Sequence, residues 1–170
     1  DKAVTVKFNL KQKPDGAPDG FRKYSVLAWT TTPWTLPSNL ALAVGKDIKY
    51  ICIPFEDECL ILSASAVNQY QKELSLNNAE IDSYGLLSGE DLDGLFPYFE
   101  GHANSFKIIV ADFVEDGSGT GIVHMAPGFG EDDQKVCSDH NIELVCPVDS
   151  AGKFTQEVKD FNGQNIFEAN

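Results

Sequence analysis

The hydrophobic residues of this chain are grouped in short runs that alternate with turn-rich stretches. The runs are rich in β-branched and aromatic residues, which is typical of strands in a compact sheet. Six strands are predicted on this basis, at residues 4–9, 23–29, 48–53, 59–62, 106–111 and 121–124. The intervening segments 13–20, with Pro, Asp and Gly, and 116–121, which reads DGSGTG, favour turns.

Helical patterns are fewer. Residues 63–73 combine small residues with good helix formers, and residues 131–140 open with three acidic residues, which favour a helix N-terminus. No repeat of fixed period and no low-complexity tract is visible. The 170 residues therefore predict a single α+β domain over 1–170, centred on a β-barrel-like mixed sheet with a few short helices.

The charge of the chain limits how it could meet a nucleic acid. Thirteen Lys and Arg stand against 26 Asp and Glu, a formal net charge of −13, which repels a phosphate backbone. A contact with a polynucleotide should be local, at a strand end, with most affinity supplied by another domain. The chain starts at Asp1 and has no leader-like or membrane-spanning apolar run, so we expect part of a longer chain without signal peptide or membrane span.

The cysteines do not alter the predicted fold class. Cys52, Cys59, Cys137 and Cys146 lack the short paired spacing of a zinc site. We expect four reduced thiols without a disulfide framework, and neither a metal nor another cofactor.

The first segment with candidate chemistry is AWTTTPWTLPSNLAL, residues 28–42. A strand ends there in Thr30, Thr31 and Thr32, and the two following prolines prevent its continuation as a central strand. Hydroxyls and backbone N–H groups in such a turn can hold a water and a carbonyl oxygen. A threonine-rich turn alone could equally satisfy its own backbone.

The second segment is GTGIVHMAPGFGEDD, residues 119–133, in which a glycine-flanked strand leads through a Pro- and Gly-rich loop to an acidic helix start. Asp133 could accept a hydrogen bond from a ligand ammonium group, or face water as a helix-end charge. His124 could be a general base or a wall of a pocket. No Ser or Cys lies in a nucleophile-elbow pattern, which makes water the favoured nucleophile.

Together, WTTTPWTLPSN at 29–39 and GTGIVHMAPGFGEDD closely resemble the two signature regions of the editing insertion, or connective peptide, of isoleucyl-tRNA synthetases. The leucyl and valyl enzymes have Arg at the place of Thr32 and lack the histidine. Phe129 stands where many bacterial members have His, which favours a eukaryotic cytoplasmic enzyme. The chain lacks the HIGH-like and KMSKS-like signatures of a class I catalytic domain, so the resemblance is to the insertion alone.

The resemblance implies a role for each matching residue. Asp133 would grip the α-ammonium of an aminoacyl group, and the catalytic threonines Thr30, Thr31 and Thr32 would orient substrate and water. The implied substrate-binding residues are Trp29, Thr35, His124 and Phe129. We favour a steric role for His124 over proton transfer.

The implied function is hydrolysis of mischarged valyl-tRNA(Ile) in the cytoplasm, with isoleucyl-tRNA excluded by size. The partners would be the 3′ end of aminoacylated tRNA(Ile), valine and the remainder of the synthetase. Three alternatives stay open: a passive module that binds the acylated 3′ end, a free-standing deacylase, and hydrolysis of valyl-adenylate before transfer. The acidic charge argues against the free-standing deacylase, because such a protein must find tRNA unaided.

Overall fold

A computed structural model of the protein describes residues 3–72, 82–84, 89–94 and 96–169. Within these residues eight strands form one mixed sheet, in the order β6-β4-β5-β2-β8-β3-β7, with β1 paired to β2 outside this path. The strands are β1 Val4–Asn9, β2 Lys23–Thr30, β3 Ala41–Val44, β4 Tyr50–Phe55, β5 Glu58–Ser63, β6 Asp82–Tyr84, β7 Lys107–Val110 and β8 Ile122–Met125. The sheet curls into a half-barrel, which confirms the predicted fold class.

Strand β2 lies at the centre of the fold, as the burial of both its faces shows. Val26 and Ala28 belong to the larger apolar cluster of the molecule, whereas Leu27 belongs to a smaller cluster that includes Tyr70. β2 pairs antiparallel with β1 and parallel with both β5 and β8. A strand buried on both faces has a nearly continuous apolar sequence, and this is how β2 could be recognised.

The pairing of β8 brings the two motif segments together. Trp29, near the end of β2, is paired with Val123 of β8, and His124 is paired with Leu42 of β3. Between β2 and β3 the chain turns through a 3-10 helix at Pro33–Ser38. The threonines at the end of β2 and the histidine of β8 therefore lie close together.

One of the two predicted helices is confirmed. Helix α2 spans Glu131–Asp139, with His140 as its C-cap. The other prediction is confirmed only in part: Ser63 ends β5, a 3-10 turn covers Ala64–Ala66, and α1 is a single helical turn at Val67–Tyr70. The N–H of Ser63 donates to the carbonyl of Thr120, which keeps this residue in the sheet. Residue 73, the last of the predicted helix, lies outside the described residues.

Two of the four cysteines form a disulfide, which corrects the expectation of four reduced thiols. β4 and β5 are adjacent antiparallel strands, and their pairing brings the Cα atoms of Cys52 and Cys59 to 5.7 Å, within the reach of a disulfide. Cys137 is free and buried, and Cys146 is free and exposed. None of the helices within the described ranges is long and apolar enough to cross a membrane.

Candidate active site

A cavity of about 340 Å³ lies where β2 ends. Its walls come from the end of β2, the loop between β7 and β8, β8 itself, and the loop that leads into α2. Seven of the eight predicted site residues line it, namely Trp29, Thr30, Thr31, Thr32, His124, Phe129 and Asp133. Thr35 is the exception. The fold thus brings two segments together that are almost 90 residues apart in sequence.

The threonine turn is held by its own hydroxyl groups. Thr30 is buried, and its Oγ1 accepts a hydrogen bond of 3.1 Å from the backbone N–H of Thr32. The hydroxyls of Thr30 and Thr32 are 3.3 Å apart. Thr31 and Thr32 are exposed where they border the cavity. One threonine therefore shapes the turn, and the other two can present hydroxyl groups to a ligand.

Thr35 lies behind the turn and is not among the residues that line the cavity, and its role in substrate binding stays a prediction. It is buried within the 3-10 helix, and its Oγ1 donates to the carbonyl oxygen of Thr32 over 2.8 Å. Oγ1 of Thr35 is also 2.8 Å from Nε2 of His124. Thr35 thus connects the histidine to the backbone of the turn.

The hydrogen bonds of His124 determine where its proton resides. Nδ2 of Asn39 donates to the carbonyl of Ala41 over 2.9 Å and lies 2.7 Å from Nδ1 of His124. A carbonyl oxygen can only accept a hydrogen bond, so the Asn39 atom that faces it is the amide nitrogen. The second hydrogen of this nitrogen is directed at His124, and Nδ1 of His124 must accept it. The proton of the neutral ring is then on Nε2, which donates to Thr35.

The environment of His124 keeps the ring neutral. Burial lowers the pKa of His124 from 6.5 to about 4, although its hydrogen bond with Thr35 acts in the opposite direction. Both ring nitrogens have protein partners, so neither offers a free lone pair to the cavity. The arrangement makes His124 a fixed, neutral wall of the cavity.

Asp133 is placed in the cavity by the first turn of α2. Its Oδ2 accepts a 2.9 Å hydrogen bond from the backbone N–H of Ala126. Burial raises the pKa of Asp133 above its usual value, while the Ala126 N–H opposes the shift and Asp132 adds to it. A Cβ on Gly130 would lie 3.3 Å from Cγ of Asp133, so a glycine there leaves space for the carboxyl group. A partly buried carboxylate of this kind suits a cationic ligand.

Aromatic side chains form the remaining walls. Phe129 packs edge-to-face against Trp34, with ring centroids 4.8 Å apart. Trp29 lies against the backbone of Gly119, where an added Cβ would approach Cβ and Cγ of the tryptophan to 3.2 Å. Gly119 has φ +55, a conformation that favours glycine. The DGSGTG turn therefore lies directly against one wall of the cavity.

Sequence analysis missed two parts of the site. The first is Asn39, the last residue of the first motif, whose amide sets the tautomer of His124. The second is the loop between β7 and β8, which contributes Phe113, Glu115 and Ser118 to the cavity wall. The position of Asn39 within the motif could have identified it. The loop residues carry no comparable pattern.

The chain is similar to known proteins both in sequence and in fold. No protein-family model matches the chain. Over its full length the chain is 56% identical, across 173 aligned residues, to isoleucine–tRNA ligase of Rickettsia conorii, and 53% identical, across 186, to that of Rickettsia prowazekii. It spans 16% and 17% of these two relatives.

Two solved structures show the same fold. The crystal structure of GlLeuRS-CP1 has a TM-score of 0.64 at 18% identity, covering 84% of this chain and 66% of that one. The editing domain of P. knowlesi cytosolic leucyl-tRNA synthetase has a TM-score of 0.62 at 13% identity, covering 82% and 62%. At these identities the likeness concerns the fold.

The chain has the fold of these leucyl-tRNA synthetase editing (CP1) domains, and its sequence is similar over its whole length to one segment of an aminoacyl-tRNA synthetase. The particular synthetase that its sequence matches is isoleucine–tRNA ligase, of which it spans about one sixth. The two relatives named above are bacterial, and the expectation of a eukaryotic cytoplasmic type stays a prediction.

Proposed function

We propose that the chain carries out post-transfer editing, the hydrolysis of valyl-tRNA(Ile) to valine and tRNA. The observation that carries the proposal is the convergence of the threonine turn, His124 and Asp133 on one cavity. The whole chain is similar to a segment of isoleucine–tRNA ligases, which supports the choice of valine as the amino acid removed. The substrate would be the aminoacylated 3′ end of tRNA, in the cytoplasm.

The need for a second site follows from energetics. Valine is smaller than isoleucine by one methylene. A synthetic site can discriminate such a difference by only about 1–3 kcal/mol, and isoleucine against valine is the usual example of this range. A cavity that admits only the smaller side chain supplies the rest. The neutral ring of His124, fixed from both sides, suits the role of a wall that excludes isoleucine.

The chemical step needs orientation more than a strong base. The Asp133 carboxylate anchors the α-ammonium, and the hydroxyls of Thr31 and Thr32 align a water against the ester carbonyl carbon. The water oxygen bonds to that carbon, and the bond from carbon to the ribose oxygen breaks. One proton ends on the ribose oxygen and one is lost from the acid product. The free hydroxyl of the terminal ribose supplies the acid–base assistance that the described residues of the cavity do not provide.

The net charge of −13 makes the rest of the synthetase the source of most tRNA affinity. The same consideration counts against a free-standing deacylase. The main alternative from another class is a passive module that binds the acylated 3′ end without turnover. Hydrolysis of valyl-adenylate before transfer would use the same cavity and is not distinguished by it.

The test is release of free amino acid by the full-length synthetase. The enzyme is incubated separately with valyl-tRNA(Ile) and isoleucyl-tRNA(Ile), with synthesis prevented by omission of ATP. Rapid release of valine with little release of isoleucine is expected. Binding of valyl-tRNA without release would contradict the proposal and support the passive module.

A further inference from the structure

The charges of the cavity are all of one sign. Among the described residues that line it, the charged side chains are Glu115 and Asp133. Burial keeps His124 neutral, and both of its ring nitrogens already have protein partners. Anions should therefore be disfavoured in this cavity and cations favoured. Asp133 has a role in the proposed function, whereas Glu115 has none.

Glu115 occupies a defined place at the mouth of the cavity. Its neighbour Val114 is buried, and the loop is closed by hydrogen bonds from Val114 N–H to Ala111 O and from Gly121 N–H to Ser118 O. Glu115 itself is exposed. In the part of the chain that the structure describes, no lysine or arginine forms an ion pair with it. Its negative charge is therefore available to whatever enters the cavity.

The next residue provides a contrast. Asp116 is also exposed and acidic, but its carboxylate accepts a hydrogen bond from Ser65, and it lines a separate cavity with Gly45 and Asp112. Two adjacent carboxylates of one loop thus point to different surroundings. This makes Asp116 a matched control for the charge of Glu115.

We propose that Glu115 is a specificity-determining residue that selects the cationic aminoacyl ester over the zwitterionic amino acid. The proposal rests on the proposed function and deepens it. An aminoacyl ester carries its ammonium charge alone. Hydrolysis creates a carboxylate within the same group, and Glu115 and Asp133 both repel it. The cavity would thus release its product readily and resist occupation by free valine.

The experiment measures inhibition of valine release by two small competitors in the full-length synthetase. The synthetic site is blocked with a non-hydrolysable isoleucyl-adenylate analogue, and labelled valyl-tRNA(Ile) is the substrate. The competitors are valinamide, a cation that resembles the ester, and valine, the zwitterion. In the wild-type enzyme valinamide should inhibit at concentrations roughly tenfold or more below those of valine.

The variant Glu115→Gln should reduce this ratio of inhibition constants by about three- to tenfold, as expected for one charge at the edge of a partly solvated cavity. Its kcat is measured in parallel, because a residue that selects and does not react should not abolish the chemical step. Asp116→Asn, which removes an equal charge from the same loop, should leave the ratio unchanged.

Three results would overturn the proposal alone: a ratio unaffected by Glu115→Gln, equal inhibition or no inhibition by both compounds in the wild-type enzyme, or a collapse of kcat in Glu115→Gln. The last would make Glu115 a catalytic residue. Absence of valine release by the wild-type enzyme is a different result, because it overturns the proposed function and this proposal with it.

Discussion

His124 shows how hydrogen-bond geometry decides the role of a side chain. Its ordinary pKa of about 6.5 is compatible with a general base, and from the sequence both this role and a steric one stayed open, with the steric role favoured. In the structure Asn39 donates to one ring nitrogen and Thr35 accepts from the other, and burial lowers the pKa to about 4. We therefore assign His124 to the wall of the cavity.

The steric role of His124 predicts a change of specificity in His124→Ala. Removal of the ring enlarges the cavity, so the full-length variant should begin to release isoleucine from isoleucyl-tRNA(Ile). One methylene corresponds to about 10- to 200-fold discrimination, which is the range that the variant can lose. Release of valine should persist at a lower rate, because Thr35 loses its donor. Loss of both activities would contradict the steric role.

The lowered pKa of His124 also predicts a dependence of stability on pH. The pKa of the folded state, about 4, lies below the unfolded value of 6.5. The stabilisation is therefore complete above pH 6.5 and is lost as the pH falls from 6.5 towards 4. Between these limits, protonation of the histidine should lower the free energy of unfolding by about 1.4 kcal/mol for each unit by which the pH falls.

Urea unfolding of the chain at several pH values measures this contribution as the difference between the wild type and His124→Gln. The variant should show the shallower loss of unfolding free energy below pH 6.5. His140→Gln, at the exposed end of α2, is the control and should follow the wild type. Identical slopes for wild type and His124→Gln would show that the ring is not buried as a neutral group.

The loop between β8 and α2 depends on a glycine for its position. A Cβ at Gly128 would lie 2.2 Å from the carbonyl oxygen of Val145 and 2.9 Å from Cα of Cys146. These are backbone atoms, so rotation of a side chain cannot relieve the contact. The glycine at this position therefore permits close approach of the loop to another part of the backbone.

Gly128→Ala should therefore destabilise the chain by about 1–3 kcal/mol, the usual cost of overpacking. It should also slow valine release, because the displaced loop carries Phe129 and leads to Asp133. Urea unfolding and the release assay measure the two effects. Gly101→Ala, where nothing lies within 4 Å of the added Cβ, is the control. Unchanged stability in Gly128→Ala would mean that the loop can adjust freely.

The positions of the strands were easier to predict than the pairing between them. β1 was predicted with its observed bounds, and β2 differs from its prediction by one residue, because β1 alternates apolar with polar residues and β2 has a nearly continuous apolar run. β3 was missed: its four residues are all buried, so they show no alternation. They gain their strand geometry from parallel pairing with β7 and antiparallel pairing with β8, which are distant in sequence.

The candidate site was predictable in so far as it lies in the two motifs. Seven of eight predicted residues line one cavity, because β2 and β8 are neighbours in the sheet. The loop with Phe113 and Glu115 was not predictable, since parallel pairing of β3 with β7 carries it there. The disulfide was equally hidden, because it depends on the pairing of β4 with β5.

The molecule as a whole is a small acidic domain, whereas the substrate proposed for it has an anionic backbone. A formal charge of −13 disfavours an extended contact with tRNA, and the chain spans about one sixth of its relatives. The proposed division of labour follows from this: the rest of the synthetase holds the tRNA, and this domain receives only the acylated end.

The measurement that tests the account most directly is accumulation of valyl-tRNA(Ile) by the full-length synthetase supplied with valine, ATP and tRNA(Ile). We compare the wild type with Asp133→Asn and with Asp132→Asn, an exposed neighbour outside the cavity. Loss of the ammonium anchor should slow deacylation by roughly 10- to 100-fold, the worth of one charged hydrogen bond.

Asp133→Asn should therefore accumulate valyl-tRNA(Ile), while the wild type and Asp132→Asn should not, and all three should aminoacylate with isoleucine at similar rates. If Asp133→Asn keeps normal aminoacylation and accumulates no valyl-tRNA(Ile), hydrolysis does not occur in this cavity and the central claim is wrong.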